Sequence, residues 1–259
     1  MEIPFYKYHG AGNDFILIDN REYTITSLQT EQVARLCHRR FGIGADGLML
    51  LQRSAEAGFE MVYYNSDGNL STMCGNGGRC IAALAYHLGI VGRDMTFKAV
   101  DGIHEARMLA DDKVALHMQD VRQIDFETEY TLLDTGSPHL IKWVDDLEHT
   151  EVFREGRVLR NLPVFQPKGI NVNFVQRLDN GIAIRTYERG VEDETLACGT
   201  GVTAAAIVSA GNETGAFNIQ VKALGGDLSV SFNKKTATTA EDIVLTGGAA
   251  FVFKGTTEI

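Results

Sequence analysis

Short apolar runs separated by turns bearing Gly, Asn or Asp dominate this chain, and they predict many short strands. The first two span residues 2–8 and 15–19 and are joined by the turn His9-Gly10-Ala11-Gly12-Asn13-Asp14. The period then changes: Val33, Leu36 and Cys37 recur at helical spacing, predicting a helix over residues 30–40 that Gly42 stops. Strands are predicted again at 47–52 and 60–65, followed by the reversal Asn65-Ser66-Asp67-Gly68-Asn69. A helix over about residues 76–88 is apolar nearly all round, with Cys80, Ala83, Leu84 and His87 on one face and Ile81, Ala85 and Leu88 on another, so burial is predicted.

Strand-like segments at 95–100, 104–109 and 114–118 lead to the polar stretch 119–129, which reads as an inter-domain linker. A second series repeats the plan. Strands are predicted at 131–134 and 140–144, then a variable acidic section, then strands at 169–177 and 181–187. A helix over about 200–210 and strands at 218–223, 227–232, 242–246 and 250–254 finish the chain.

Each of the two apolar, Ala-rich helices is preceded by the same turn, Cys74-Gly75-Asn76-Gly77 and Cys198-Gly199-Thr200-Gly201, 124 positions apart. We read this as an ancient duplication. The expected fold is α+β, with two pseudo-symmetric domains, each a β-rich, barrel-like sheet around a central helix, and an active site in the cleft between them. The expected N-terminal domain covers residues 1–120, completed by the last strand at about 250–259; the C-terminal domain covers 121–249.

The net charge of −10 leaves no basic footprint for nucleic acid. No apolar run is long enough to cross a bilayer, and the first residues show no signal pattern, so a cytoplasmic protein with no membrane partner is expected. Four cysteines are too few for a disulfide scaffold, and no compact CxxC or HxxxH set suggests a metal.

A cysteine before a glycine-opened helix sits where unpaired N–H groups and the positive end of the helix dipole converge. Those donors favour a thiolate, bringing its pKa from roughly 8.5 into a range of about 3.5–7.5, and they also hold carboxylates. Alone, either Cys74 or Cys198 would read as a small buried hydrophobe. As a pair they suggest one thiolate base and one thiol acid facing a small anionic substrate. Cys37 and Cys80 fall mid-helix on apolar faces and read as core. Asn13, Asn65 and Asn76 suit a zwitterionic amino acid, because an amide both donates and accepts; equally, each could simply stabilise a turn. Asn171 and Asn173 alternate on a strand and should share a face. By spacing alone, His139 and the Glu188-Arg189 pair stay undecided between site and surface, although Arg is the natural partner of a carboxylate.

Eight motifs in order resemble the diaminopimelate epimerases: His9-Gly10-Ala11-Gly12-Asn13-Asp14-Phe15, Gly42-Ile43-Gly44-Ala45-Asp46-Gly47, Tyr64-Asn65-Ser66-Asp67-Gly68, Met73-Cys74-Gly75-Asn76-Gly77-Gly78-Arg79-Cys80, Gly136-Ser137-Pro138-His139, Gly169-Ile170-Asn171-Val172-Asn173-Phe174, Tyr187-Glu188-Arg189-Gly190 and Glu194-Thr195-Leu196-Ala197-Cys198-Gly199-Thr200-Gly201. The resemblance implies an amino-acid epimerase of lysine and peptidoglycan precursor synthesis that acts on diaminopimelate without a cofactor. It implies that Cys74 and Cys198 are the acid/base pair, that His139 and Glu188 tune the thiols, and that Asn13, Asn65, Asn171, Glu188 and Arg189 contact the substrate. Gly75-Asn76 and Gly199-Thr200 match the helix-start amides that hold the reacting carboxylate. A homodimer is implied, with Phe253 where some relatives carry Tyr at the dimer contact; Ser137 stands where many have Asn, and Asp46 where some have Gln. Other two-cysteine racemases of this fold, and a non-enzymatic amino-acid binder or thiol redox sensor, are the alternative readings; phenazine-type isomerases lack the cysteine pair.

Overall fold

The computed structural model describes residues 2–71 and 73–259. The chain forms two compact units, residues 1–116 with 247–259, and residues 117–246.

In the first unit eight strands lie side by side in the order β17 (Ala250–Glu258), β1 (Glu2–Gly10), β2 (Asn13–Asp19), β3 (Gly47–Gln52), β4 (Phe59–Asn65), β5 (Asp94–Ala99), β6 (Gly102–Met108) and β7 (Lys113–His117). The β2–β3 and β4–β5 pairs are parallel and the rest antiparallel. A parallel neighbour needs a crossover, and helix α1 (Thr30–Cys37) supplies the one between β2 and β3. Phe15 to Ile18 and Leu48 to Leu51 are therefore buried without alternation, because both faces of these strands are covered. Ile16, Ile18, Leu48 and Leu50 pack with Val33, Leu36 and Cys37 of α1. Phe15 and Met49 point the other way, toward Gly77 of helix α2 (Gly75–His87). Every residue of α2 from Gly75 to Ala85 is buried, as its all-round apolar pattern predicts.

The second unit repeats this topology. Its strands run in the order β8 (Ile124–Phe126), β9 (Thr131–Asp134), β10 (Pro138–Trp143), β11 (Asn171–Leu178), β12 (Gly181–Glu188), β14 (Gly215–Ala223), β15 (Gly226–Thr236) and β16 (Thr239–Gly248). The parallel pairs, β10–β11 and β12–β14, fall at the positions equivalent to those of the first unit. A short β13 (Asp193–Thr195) adds to β12 at its C-terminal end. Helix α3 (Val152–Arg160) makes the crossover and packs with Leu140, Val172, Phe174 and Tyr187. Helix α4 (Gly199–Ser209) fills the other face, with Gly201 to Val208 all buried. Small residues let the helix lie close to the sheet.

Three expectations change. The predicted helix to Arg40 ends at Cys37: His38 is extended, and its ring accepts the N–H groups of Arg40 and Phe41 in place of helical carbonyls. Cys37 thus closes α1 rather than lying in its middle. The polar stretch 119–129 is not a loose linker, since Ile124–Phe126 pairs with β9 and Val121 bridges Ala240. The acidic section holds α3, whose only buried residues are Val152 and Gly156, too thin a stripe to read as a helix. No helix among the described residues is long and apolar enough to cross a membrane.

Candidate active site

In the first unit, the start of β2, the start of β3 and the end of β4 fall at one end of the sheet, because Phe15 pairs with Gly47 and Gly47 with Asn65. The N-terminus of α2 reaches the same end. This gathers Asn13, Asn65, Gly75 and Asn76: Asn76 Nδ2 donates to Asn13 Oδ1 at 2.6 Å. Asn13 Nδ2 in turn donates to Asp46 Oδ2 at 2.8 Å. Asn65 is half-buried, and no hydrogen bond of its side chain occurs among the described residues, which leaves its amide open to a ligand.

Asp46, which stands where some relatives have Gln, is central here. It takes Asn13 and the Asp14 N–H on one oxygen and Arg39 on the other, 2.7 Å away. Asp14 is paired with both Lys7 and Arg39 at 2.6 Å. Burial works against the Asp14 charge, but the hydrogen bonds and charges of Arg39 and Lys7 hold its carboxyl below the usual range. Two carboxylates and two cations thus form a neutral block that fixes Asn13. Only the tertiary pairing of β2 with β3 brings these groups together.

The second unit uses the same construction. His139 pairs with Asn171 at the start of parallel β10 and β11, and β12 ends beside them at Glu188. Asn171 spans the end of the sheet: its Nδ2 donates to Ser137 Oγ and Pro138 O, and its Oδ1 accepts the Arg189 N–H at 2.9 Å. Asn171 and Asn173 both sit buried on the face that α4 covers, as their alternation implies. Glu188 Oε2 accepts from Thr195 Oγ1 at 2.9 Å, and Arg189 Nη1 donates to Lys168 O.

His139 is fully buried, and its tautomer follows from its neighbours. Asn173 Nδ2 donates to Leu140 O and to His139 Nδ1, both at 3.1 Å, while Thr186 donates to its oxygen. Nδ1 is therefore an acceptor, and the ring proton lies on Nε2. Nε2 lies 2.9 Å from Thr200 Oγ1 and 3.0 Å from Ser137 Oγ, and Thr200 Oγ1 in turn is 3.1 Å from Ser137 Oγ and 3.4 Å from Cys198 Sγ. Asn173, His139, Ser137 and Thr200 thus form one hydrogen-bonded cluster that reaches the Cys198 sulfur through the Thr200 hydroxyl.

Burial, with Arg189 acting in the same sense, pushes the His139 pKa down to about 3. Unfolded, the ring takes up a proton near 6.5, so between about pH 6.5 and about pH 3 the unfolded state binds more protons and acid destabilises the fold. From this residue alone we expect a loss of about 2 kcal/mol between about pH 6.5 and about pH 5, a loss absent in His139→Gln. Urea denaturation at both pH values checks it; an equal acid loss in both proteins would refute it.

Cys74 and Cys198 are the N-cap residues of α2 and α4, with nearly the same backbone: φ −107°, ψ 124° and φ −108°, ψ 113°. Neither side chain closes its helix with a capping hydrogen bond, and neither first turn holds an acidic residue. Both helix starts can therefore receive an anion. Cys37 and Cys80 differ: burial pushes each thiol up to about 12, which makes them inert. Among the described residues no three His, Cys, Asp or Glu side chains gather as a metal site.

The family model for diaminopimelate epimerase matches residues 5–124 and 131–252, one match for each repeat. A curated diaminopimelate epimerase of Flavobacterium psychrophilum is 48% identical over 256 residues, covering 98% of this chain and 100% of that protein. One from Chlorobaculum tepidum is 44% identical, with 95% and 98% covered. Among solved structures, a Bacillus anthracis phenazine biosynthesis protein of the PhzF family superposes with a TM-score of 0.78 over 100% of both chains at 15% identity. A probable proline racemase from Agrobacterium radiobacter gives 0.71 at 16% identity, covering 99% of this chain and 93% of that one. Those two likenesses show a shared two-repeat α+β fold, whereas the full-length sequence matches reach the residues at both helix starts: the chain belongs to the diaminopimelate epimerase family.

Proposed function

We propose that this chain is a cofactor-independent epimerase that inverts one α-carbon of L,L-diaminopimelate to give meso-diaminopimelate, with Cys74 and Cys198 as the acid/base pair. One observation carries the reading: in two units of the same topology a cysteine caps the buried central helix, with its backbone in the same conformation. Inversion needs a base on one face of the α-carbon and an acid on the other. One thiolate takes the α-proton and becomes a thiol, while the other thiol gives its proton to the opposite face and becomes a thiolate. Protons balance, and the two sulfurs exchange roles for the reverse reaction.

The carbanion-like intermediate spreads charge into its carboxylate. The amides of Gly75-Asn76 and Gly199-Thr200, at two helix N-termini, supply fixed donors for it. The neutral His139 acts through Thr200, whose hydroxyl stabilises the thiolate form of Cys198. Glu188 tunes the thiols and, with Arg189, Asn13, Asn65 and Asn171, binds the substrate, including its distal amino-acid centre. Base, acid and carboxylate site all come from the chain, so we assign neither pyridoxal phosphate nor metal. We also place the enzyme in the cytoplasm, as a homodimer serving lysine and peptidoglycan precursor synthesis.

The test is epimerisation of L,L-diaminopimelate in deuterium oxide under reducing conditions, followed by NMR of the α-proton. Exchange with formation of the meso isomer, without added cofactor, is expected. No exchange with diaminopimelate but exchange with another amino acid would move the assignment to a different racemase. No exchange with any would favour a binder or redox sensor.

A further inference from the structure

Arg79, in the second turn of α2, is fully buried. Its side chain runs back toward the helix N-terminus, the direction helical side chains favour. Nη1 donates to Gly75 O at 3.2 Å and Nη2 to Asn76 Oδ1 at 2.9 Å, while Nε has no partner. Gly10 of β1 packs against this turn: a Cβ there would lie 2.9 Å from Asn76 O and 3.4 Å from Arg79 Nη2.

A guanidinium stays charged in a protein, and burying it unpaired is unfavourable because its charge loses hydration. Yet among the described residues no carboxylate pairs with it; the groups of opposite sign acting on it are the Cys80 and Cys74 thiols. The titratable groups around α2 include Tyr8 of β1, bonded to His87 and acted on by Tyr6 and Asp112, Asp112 itself, which pairs with His87, Tyr63 of β4, and His104 of β6, bonded to Asp101. Among the described residues, neither Asp112 nor Asp101 is among the groups that act on Arg79. The Cys80 thiol is held protonated by burial. The guanidinium, bonded to the carbonyl next to Cys74, therefore adds its charge to the positive end of α2.

We propose that Arg79 is a positioning residue whose buried charge holds Cys74 as a thiolate and whose fork fixes Asn76 against Asn13. This rests on Cys74 being one of the two acid/base thiols. It also explains a buried cation with no carboxylate: its counter-charge is the working thiolate.

The test is the pH dependence of Cys74 alkylation by iodoacetamide in the full-length protein, read by peptide mass spectrometry, with Cys198 as internal control. Arg79→Gln should raise the Cys74 pKa by about 1–3 units, slowing alkylation at neutral pH about tenfold or more. Arg79→Lys, which keeps the charge and loses the fork, should stay near the wild-type value, and Cys198 should not move. A folded Arg79→Gln with unchanged Cys74 pKa, or Gln and Lys shifting it alike, overturns the proposal in favour of a packing role. Should Arg79→Gln fail to fold, the wild type decides: Cys74 must titrate below the ordinary thiol value of about 8.5, and a higher value overturns the proposal. Alkylation needs no substrate, so a missing epimerase activity would sink the functional reading while leaving this one measurable.

Discussion

Alanine in place of Cys74 or of Cys198 is expected to cut epimerisation by about 10²–10⁴-fold or more, the usual contribution of a positioned acid or base. Folding should survive, because neither side chain supplies a capping hydrogen bond to its helix. Deuterium-exchange NMR reads the rate, and far-UV circular dichroism checks the fold. Cys37→Ala is the control: that thiol, on the last residue of α1, is buried in the core and held protonated, so exchange should be unchanged. Full activity in either single variant would sink the two-thiol scheme. Loss in one alone would replace it with a single-base mechanism.

The second large effect is an asymmetry between two equivalent glycines. Gly77 and Gly201 occupy the same position after the capping cysteine, three residues on. A Cβ on Gly201 would overlap Asn173 Oδ1 and lie 3.3 Å from His139 Cε1. Asn173 cannot yield without breaking its bonds to Leu140, His139 and Thr186. Gly201→Ala should therefore cost about 1–3 kcal/mol through overpacking, and should also slow epimerisation by releasing the His139–Thr200–Cys198 chain. A Cβ on Gly77 meets the terminal methyl of Met49, a flexible side chain that repacks. There the better helix propensity of alanine, about 1 kcal/mol, offsets the crowding, so Gly77→Ala should be near neutral. Urea denaturation and the exchange assay check both. Equal stability and activity of the two variants would refute the argument.

Much of the site was legible before folding because its chemistry is local. A cysteine, a glycine and an apolar helix in succession define an N-terminal anion site without help from elsewhere, and the two copies of that motif stand at α2 and α4. The strands of strong alternation and the two all-round apolar helices were equally readable, since a buried helix and a half-buried strand leave different periods. Helix α3 was not readable. It buries little, and it is held by Tyr187 packing on Gly156, a contact between residues far apart in sequence.

The sequence by itself determined the repeat, the central helices and the capping cysteines, because each is set by neighbours within one or two turns. Tertiary structure alone decided which polar residues act together. The pairing of β2 with β3 joins Asn13 to Asp46 and Arg39, and the pairing of β10 with β11 sets Asn173 against His139 and so fixes its tautomer. The folding of Arg79 back along α2, where no carboxylate among the described residues pairs with it, likewise becomes visible only in three dimensions. Direction of hydrogen bonding and loss of water depend on what packs from elsewhere in the chain, and no local pattern encodes them.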